Sequence, residues 1–263
     1  MTYIETHAHL NDRAFEGELE TVIESSKKAG CGIIINCGDC LEASVASIRL
    51  AEKYDFVYAA VGVHPEKAAE MSEHVYNELK KLAGHPKAVA IGESGLDYHY
   101  CENEAEKLIQ QENFRRNIRL ARETGLPLVV HDREAHEDCL RIMSEEGVPF
   151  GKAVFHCFSG SPEMAKIIEG QGWKMSFGGA VTFKNARRAP EVLKSIKRES
   201  LMLETDCPYM APEPLRGTRN TPANIPYIIE KIAELLDCGA GAVAEFTLKN
   251  SLEFFDKIVY NKQ

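Results

Sequence analysis

Short apolar runs recur along the chain, and each is followed by a longer stretch in which apolar residues return at helical spacing. Ile33-Ile34-Ile35 and Leu128-Val129-Val130 are apolar on successive residues, as in strands buried on both faces of a parallel sheet. The pattern predicts eight strands: Tyr3 to Glu5, Gly32 to Asn36, Val57 to Val61, Ala88 to Gly92, Leu128 to Val130, Ala153 to Phe155, Lys174 to Phe177 and Leu201 to Leu203.

The stretches between these runs predict helices. Between Asn224 and Leu236 the apolar residues repeat with helical period, with Asn224 as the expected cap and Pro226 in the first turn. Ser161, followed by a proline, opens another helix in the same way. A last helix is expected from about Ala242 to Val259, on the outside of the fold or closing its bottom.

Eight strand–helix units in 263 residues match the usual size of a (β/α)8 TIM barrel. No linker rich in Gly, Ser or Pro divides the chain, so one barrel domain is predicted over residues 1–263. The competing α/β fold, an open doubly wound sheet, would need a phosphate-binding glycine loop after its first strand. Here that strand is followed by His7-Ala8-His9, which favours the barrel.

Charge and composition narrow the class of protein. The chain has 40 acidic and 31 basic residues, a net charge of −9, which disfavours broad charge-driven binding of nucleic acid but leaves a local basic site open. No apolar run approaches the roughly 18 residues of a spanning helix, and no signal peptide is visible. A cytoplasmic location is therefore expected. The eight cysteines are expected to be reduced and mostly buried.

Residues that can bind metals stand at the ends of five predicted strands. The carboxyl ends of all barrel strands meet on one face, so these residues are expected around one pocket. The i, i+2 spacing of His7 and His9 sends both imidazoles to the same side of an extended segment. The full set is His7, His9, Glu93, His131, His156 and Asp206.

Four imidazoles and two carboxylates exceed what one tetrahedral ion needs, and they suit two divalent cations with Glu93 as the shared ligand. Zn, Mn and Mg are not distinguished by this set. Two carboxylates against two dications leave a formal charge of +2, which favours an anionic substrate such as a phosphate ester. A phosphoryl or acyl hydrolase is the predicted class.

Basic residues follow predicted strands five, seven and eight, where they would form a cationic rim: Arg133, Lys184, Arg187, Arg188, Arg216 and Arg219. Guanidinium groups grip phosphate oxygens well, so such a rim can accept the end of a nucleic acid. The predicted substrate contacts are His64, Arg133, Lys184 and Arg219. A packing role for His64 and a solvated helix face for Arg187 and Arg188 stay open. The other histidines, 74, 85, 99 and 136, are expected in surface or packing roles.

Seven motifs together resemble those of the TatD-type metal-dependent deoxyribonucleases and hydrolases, a family of the amidohydrolase-like barrels. They span nearly the whole chain, and jointly they are specific. They are His7-Ala8-His9-Leu10, Gly62-Val63-His64-Pro65, Ile91-Gly92-Glu93-Ser94-Gly95-Leu96-Asp97, Val130-His131, His156-Cys157-Phe158-Ser159-Gly160, Glu204-Thr205-Asp206-Cys207-Pro208-Tyr209 and Asn220-Thr221-Pro222.

The resemblance implies a ligand set and an activity. One divalent cation would be bound by His7, His9, Glu93 and Asp206, and a second by Glu93, His131 and His156. It further implies cleavage of DNA from an end, with Glu93 and Asp206 as catalytic residues and Asp206 orienting or deprotonating the attacking water. Glu5 departs from the pattern, because the family usually has Asp before the His-x-His pair.

Two other functions remain compatible with the residues. One is a metal-dependent ester or amide hydrolase. Many small-molecule hydrolases of this barrel type carry a lysine where this chain has Glu93, which argues against the closest versions, but a D-aminoacyl-tRNA deacylase stays compatible. The other is a metal-free binding module, which would leave all six ligand-type residues idle. The expected partner is a nucleic-acid substrate, DNA or alternatively RNA or tRNA. No membrane and no obligatory protein partner are expected.

Overall fold

A computed structural model describes residues 1–260. Within that range every predicted strand is present, and all belong to one parallel sheet in the order β1 to β8. The strands are β1 (Tyr3–Ala8), β2 (Cys31–Cys37), β3 (Val57–Val61), β4 (Ala88–Asp97), β5 (Leu128–Arg133), β6 (Ala153–Phe155), β7 (Lys174–Phe177) and β8 (Leu201–Leu203). The predicted (β/α)8 barrel is confirmed.

Helices separate the strands and follow the last one. They are α1 (Leu19–Ala29), α2 (Leu41–Lys53), α3 (Glu73–Ala83), α4 (Glu104–Thr124), α5 (His136–Glu145), α6 (Pro162–Gly170), α7 (Arg188–Ser195), α8 (Ile225–Leu235) and α9 (Ala240–Phe254). In the part of the chain that the structure describes, none of them is both long and apolar enough to cross a membrane.

Four strands run further than their apolar runs predicted. β1 extends to Ala8, β2 gains one residue at each end, β4 extends to Asp97 and β5 to Arg133. In β4 and β5 the additional residues are mostly polar, and they pair with one another across the sheet, Gly95 with His131 and Asp97 with Arg133. Several candidate ligands therefore lie on rigid strands rather than in loops.

The backbone contacts group the chain into two compact units. Unit 1 comprises residues 1–36 and 157–254. Its strands pair in parallel, β1 with β2 and β7 with β8, and a bridge between Ala8 and Cys207 joins β1 to the segment after β8. Helix α9 packs on β1 and β8. The carboxyl end of β1 thus lies beside the segment that carries Asp206.

Among the described residues, unit 2 comprises 37–156 and 255–260. Its strands β3 to β6 pair in parallel, and α4 packs against β4 through buried residues that include Phe114 and Ile118. Two asparagines of α4 hold the segment after β3. Asn113 donates a hydrogen bond to the carbonyl of Val63 at 3.0 Å, and Asn117 accepts one from the Val63 amide at 3.3 Å.

Two helix predictions need correction at their ends. Ser161 caps α6 as expected, but Asn224 makes no side-chain cap for α8: its backbone is already helical (φ −91°, ψ −4°), and its side-chain NH2 donates to the side chain of Asn220 at 2.9 Å. Helix α9 begins at Ala240 and ends at Phe254, not at Val259. Val259 lies beyond the helix, where its carbonyl accepts a hydrogen bond from the Tyr58 hydroxyl at 3.3 Å and its amide donates to that hydroxyl at 3.2 Å.

The cysteines agree with their prediction. All eight lie in the described range, and none of them forms a disulfide. Five are buried, which matches the expectation of small apolar side chains inside a barrel.

Candidate metal centre

In unit 1, two histidines and one carboxylate come together at the carboxyl ends of β1 and β8. The Nε2 atoms of His7 and His9 are 3.2 Å apart. Asp206 Oδ1 lies 3.8 Å from His7 Nε2 and 3.5 Å from His9 Nε2. His7 is fully buried, whereas the side chain of Asp206 is 17% exposed, so one side of the cluster is accessible to solvent.

Backbone hydrogen bonds between the two strand ends place these side chains. The amide of Asp206 donates to the carbonyl of His7 at 3.0 Å, and the amide of His9 donates to the carbonyl of Cys207 at 2.9 Å. The buried Glu5 carboxylate reinforces the junction, because it accepts from the amides of His7 and Thr205 at 3.0 and 2.9 Å and from the Thr205 hydroxyl. Burial raises the pKa of Glu5 to about 8.

The motif Asn220-Thr221-Pro222 holds the loop after β8. The Asn220 amide donates to the carbonyls of Thr205 and Tyr209 at 3.0 and 2.8 Å. The hydroxyl of Tyr3 donates to the carbonyl of Pro222 at 3.0 Å. This part of the sequence motif therefore acts on backbone carbonyl groups that flank Asp206.

In unit 2, the carboxylate of Glu93 stands among imidazoles. Its Oε1 atom lies 2.8 Å from His131 Nδ1, 2.8 Å from His156 Nε2 and 3.4 Å from His64 Nε2. His131 Nδ1 and His156 Nε2 are 3.0 Å apart. Glu93 is only 3% exposed, so its charge acts in a poorly solvated place.

Asp97 orients the ring of His131. Its Oδ2 atom lies 3.1 Å from His131 Nε2, which leaves Nδ1 facing Glu93 and His156. Burial would raise the pKa of Asp97, but the hydrogen bond and charge of His131 lower it below its usual value. Burial by itself would lower the pKa of His131. The hydrogen bonds to Asp97 and Glu93 have the larger effect, so the pKa of His131 lies above its usual value. A histidine fixed by a carboxylate in this way is a common support of metal sites.

We expect Asp97→Asn to weaken divalent-cation binding by about 10- to 100-fold, because an uncharged partner holds and polarises the His131 ring less well. Titration against a competing chelator measures this. Asp132→Asn is the matched control: Asp132 Oδ2 pairs with His136 at 2.9 Å, a histidine with no predicted ligand role. Unchanged affinity in the Asp97 variant would show that His131 does not depend on this carboxylate.

His64 reaches the cluster through the loop that α4 holds. Its Nδ1 atom accepts a hydrogen bond from the amide of Glu66 at 3.2 Å, so the proton of the neutral ring sits on Nε2. The Nε2 atom lies 3.4 Å from Glu93 Oε1. His64 is thus arranged as a hydrogen-bond donor.

Both clusters fit a divalent cation. Atoms bound about 2.1 Å from one cation lie roughly 3.0–3.4 Å apart in octahedral or tetrahedral geometry. The atoms of the unit 1 cluster are 3.2 to 3.8 Å apart, and those of Glu93, His131 and His156 are 2.8 to 3.0 Å apart. Imidazole nitrogens with a carboxylate oxygen suit Zn, Mn or Fe.

The predicted substrate contacts differ in their surroundings. The side chain of Arg133 is 43% exposed, and its Nη1 lies 3.9 Å from Asp97 Oδ2. Lys184 is exposed, and no residue among 1–260 forms an ion pair with it. Arg219 donates to the carbonyl of Ala14 and the carboxylate of Glu18, so its guanidinium is already engaged. Substrate binding by each of these residues stays a prediction.

The contacts of two carboxylates, Asp97 and Glu204, were not predicted from the sequence. Asp97 lies within one of the seven motifs, and its i+4 spacing from Glu93 on an extended strand signals a shared face. Glu204 is buried and accepts a hydrogen bond from the amide of Cys157 at 2.6 Å. No local pattern indicates that contact, because the two residues are distant in sequence.

The sequence profile of the TatD related DNase family matches residues 4–256. This chain belongs to the TatD family. The family resemblance inferred from the motifs is thereby confirmed. An uncharacterized metal-dependent hydrolase of Bacillus subtilis, YabD, is 42% identical over 251 residues, which cover 95% of this chain and 98% of YabD. One of Mycobacterium tuberculosis, named TatD, is 36% identical over 94% of this chain and 96% of that protein.

Solved structures of TatD proteins share the fold. YjjV, a TatD homologue of Escherichia coli, superposes with a TM-score of 0.90 at 29% identity, covering 97% of this chain and 98% of YjjV. A TatD family hydrolase of Entamoeba histolytica gives 0.88 at 25% identity over 98% and 99% of the two chains. With its relatives and its His and carboxylate clusters, this TatD protein is a metal-dependent hydrolase.

Proposed function

We propose that this TatD protein is a phosphodiesterase that shortens DNA from an end with the help of two divalent cations. The observation that carries the proposal is the cluster of Glu93, His131 and His156 with the exposed guanidinium of Arg133 beside its supporting carboxylate. A cation site next to an exposed arginine suits an anionic ester.

In this proposal each of the two clusters binds one cation. His7, His9 and Asp206 would hold one cation, and Glu93, His131 and His156 would hold the other. When bound, such cations lower the pKa of water and stabilise the charge on the departing oxygen. The expected further contact of Glu93 with the first cation stays a prediction, as does the nature of the metals.

The side chains themselves position the reactants and move the proton. Asp206 accepts a proton from water as the water oxygen attacks phosphorus, and the bond from phosphorus to the ester oxygen breaks. The proton then passes to that departing oxygen. Arg133 binds a non-bridging phosphate oxygen, and the Nε2–H of His64 donates to the same group. A cytoplasmic location and a nucleic-acid partner are part of the proposal.

A time course on two substrates tests the proposal. Chelated protein is resupplied separately with Mg, Mn or Zn, then given end-labelled single-stranded DNA or a D-aminoacyl-tRNA ester. We expect stepwise shortening of the DNA that requires the metal, because the hydrolytic water needs the cations. Ester release without loss of DNA would replace the nuclease by the deacylase alternative.

A further inference from the structure

A cavity of about 590 Å³ lies in unit 2, lined in part by the segment that directly follows His64. One wall is formed by Pro65 and Ala68, which follow His64, and another by Tyr100 and Ile109. Tyr100 is 62% exposed and Ile109 47%. Exposed large apolar side chains that line a concave surface are typical of a binding site rather than of ordinary surface.

Neighbouring side chains hold the ring of Tyr100. The guanidinium of Arg133 lies over it at 5.0 Å from the centroid, and the ring of His99 meets it edge-on at 4.7 Å. His99 is in turn fixed by Glu134 at 2.7 Å. An aromatic ring that is held in place loses little entropy when a ligand stacks on it.

A short chain of contacts connects this ring to the metal cluster. Arg133, which lies over Tyr100, is 3.9 Å from the Asp97 carboxylate, and that carboxylate is 3.1 Å from His131. A ligand with a phosphate at Arg133 therefore has its next group within reach of Tyr100. In a nucleotide chain that group is a sugar with its base.

Acidic residues in the cavity disfavour a phosphate group there but not a nucleobase. Its lining includes the carboxylates of Glu66 and Glu106. These repel a phosphate group but not an uncharged flat ring, which gains from the aromatic and aliphatic walls. The negative part of the ligand accordingly stays at Arg133.

We propose that Tyr100 is the stacking surface for a nucleobase of the substrate, which lies in the cavity between Tyr100 and the Pro65–Ala68 wall while its phosphate contacts Arg133. This inference rests on the proposed phosphodiesterase function and adds to it a site for the base. Single-stranded ends are then preferred, because a base can stack on Tyr100 only after it has left its own helix.

Binding of non-hydrolysable DNA tests the inference separately from catalysis. The probes are an end-labelled oligothymidylate with phosphorothioate linkages and an abasic oligomer of equal length, followed by fluorescence anisotropy at one salt concentration. We expect Tyr100→Ala to weaken binding of the oligothymidylate by about 5- to 100-fold and to leave the abasic oligomer unaffected. Tyr100→Phe keeps the ring and should bind as the wild type does.

Tyr227→Ala is the control, since Tyr227 is another exposed tyrosine, on α8. Equal effects of Tyr100→Ala on both probes, or no effect on either, would overturn the base site, while metal-dependent DNA cleavage by the wild type would still support the phosphodiesterase. Conversely, the protein could bind the base in a way that depends on Tyr100 and yet cleave no phosphodiester. That result would contradict the proposed function but support the stacking site.

Discussion

Replacing Asp206 by asparagine is expected to lower the turnover number for DNA hydrolysis by about 10²- to 10⁴-fold, the usual contribution of a general base. An amide has nearly the same shape as a carboxylate but cannot take a proton from water. Asp206 has φ +56°, a left-handed conformation that asparagine also tolerates, and its backbone bond to His7 does not involve the side chain. The variant should therefore stay folded.

The matched control is Asp237→Asn. Asp237 is exposed and has φ +49°, so the same chemical change is made in a similar backbone conformation away from both clusters. Initial rates on end-labelled DNA at saturating metal, with thermal unfolding of each variant, give the comparison. Turnover close to that of the wild type in Asp206→Asn would remove Asp206 from the proposed proton transfer.

Gly95→Ala is expected to lower the free energy of unfolding by more than about 4 kcal/mol or to prevent folding altogether. Gly95 pairs with His131 across β4 and β5, and a Cβ atom there would lie 1.9 Å from the His131 carbonyl oxygen and 2.9 Å from its amide nitrogen. Both atoms belong to the backbone of β5, which is paired with β4 on one side and β6 on the other and so cannot move aside without breaking these pairings. The φ of +151° is a further obstacle to any residue with a side chain.

Gly147→Ala is the matched control, because it tests a side chain at positive φ without the steric clash that is expected at Gly95. Gly147 has φ +66°, but a Cβ atom added there would meet no atom within 4 Å beyond its own chain neighbours, so only the conformational cost of about 1–2 kcal/mol is expected. Soluble yield and urea unfolding curves measure both variants. Equal midpoints would show that the approach of β4 to β5 at Gly95 does not limit the fold.

Strands were predicted correctly where successive residues are apolar and buried, but the polar ends of the strands were not predicted. Ile33-Ile34-Ile35 and Leu128-Val129-Val130 indicate strands by themselves, because only a sheet covered on both faces buries successive residues. The polar residues of β4 and β5 carry no such signal. They are extended because Gly95 pairs with His131 and Asp97 with Arg133, contacts between segments that are far apart in sequence.

The basic residues also show what the sequence alone does not determine. Residue type and position after a predicted strand marked both Arg133 and Arg219 as phosphate contacts. The structure leaves Arg133 partly exposed beside Asp97, but it joins Arg219 to Glu18 and the carbonyl of Ala14. Such pairing depends on which loops meet, and no periodicity in the chain encodes it.

Hydrophobic periodicity and motif spacing are local properties of the chain, so they were enough to predict the barrel class, the family and the residue types at the strand ends. Which atoms of those residues act depends on the folded protein. The proximity of Asp97 to Nε2 of His131 leaves Nδ1 for the cluster, and the bond from Glu66 leaves the proton of His64 on Nε2. These choices depend on distances of about 3 Å between side chains and backbone groups that the fold brings together.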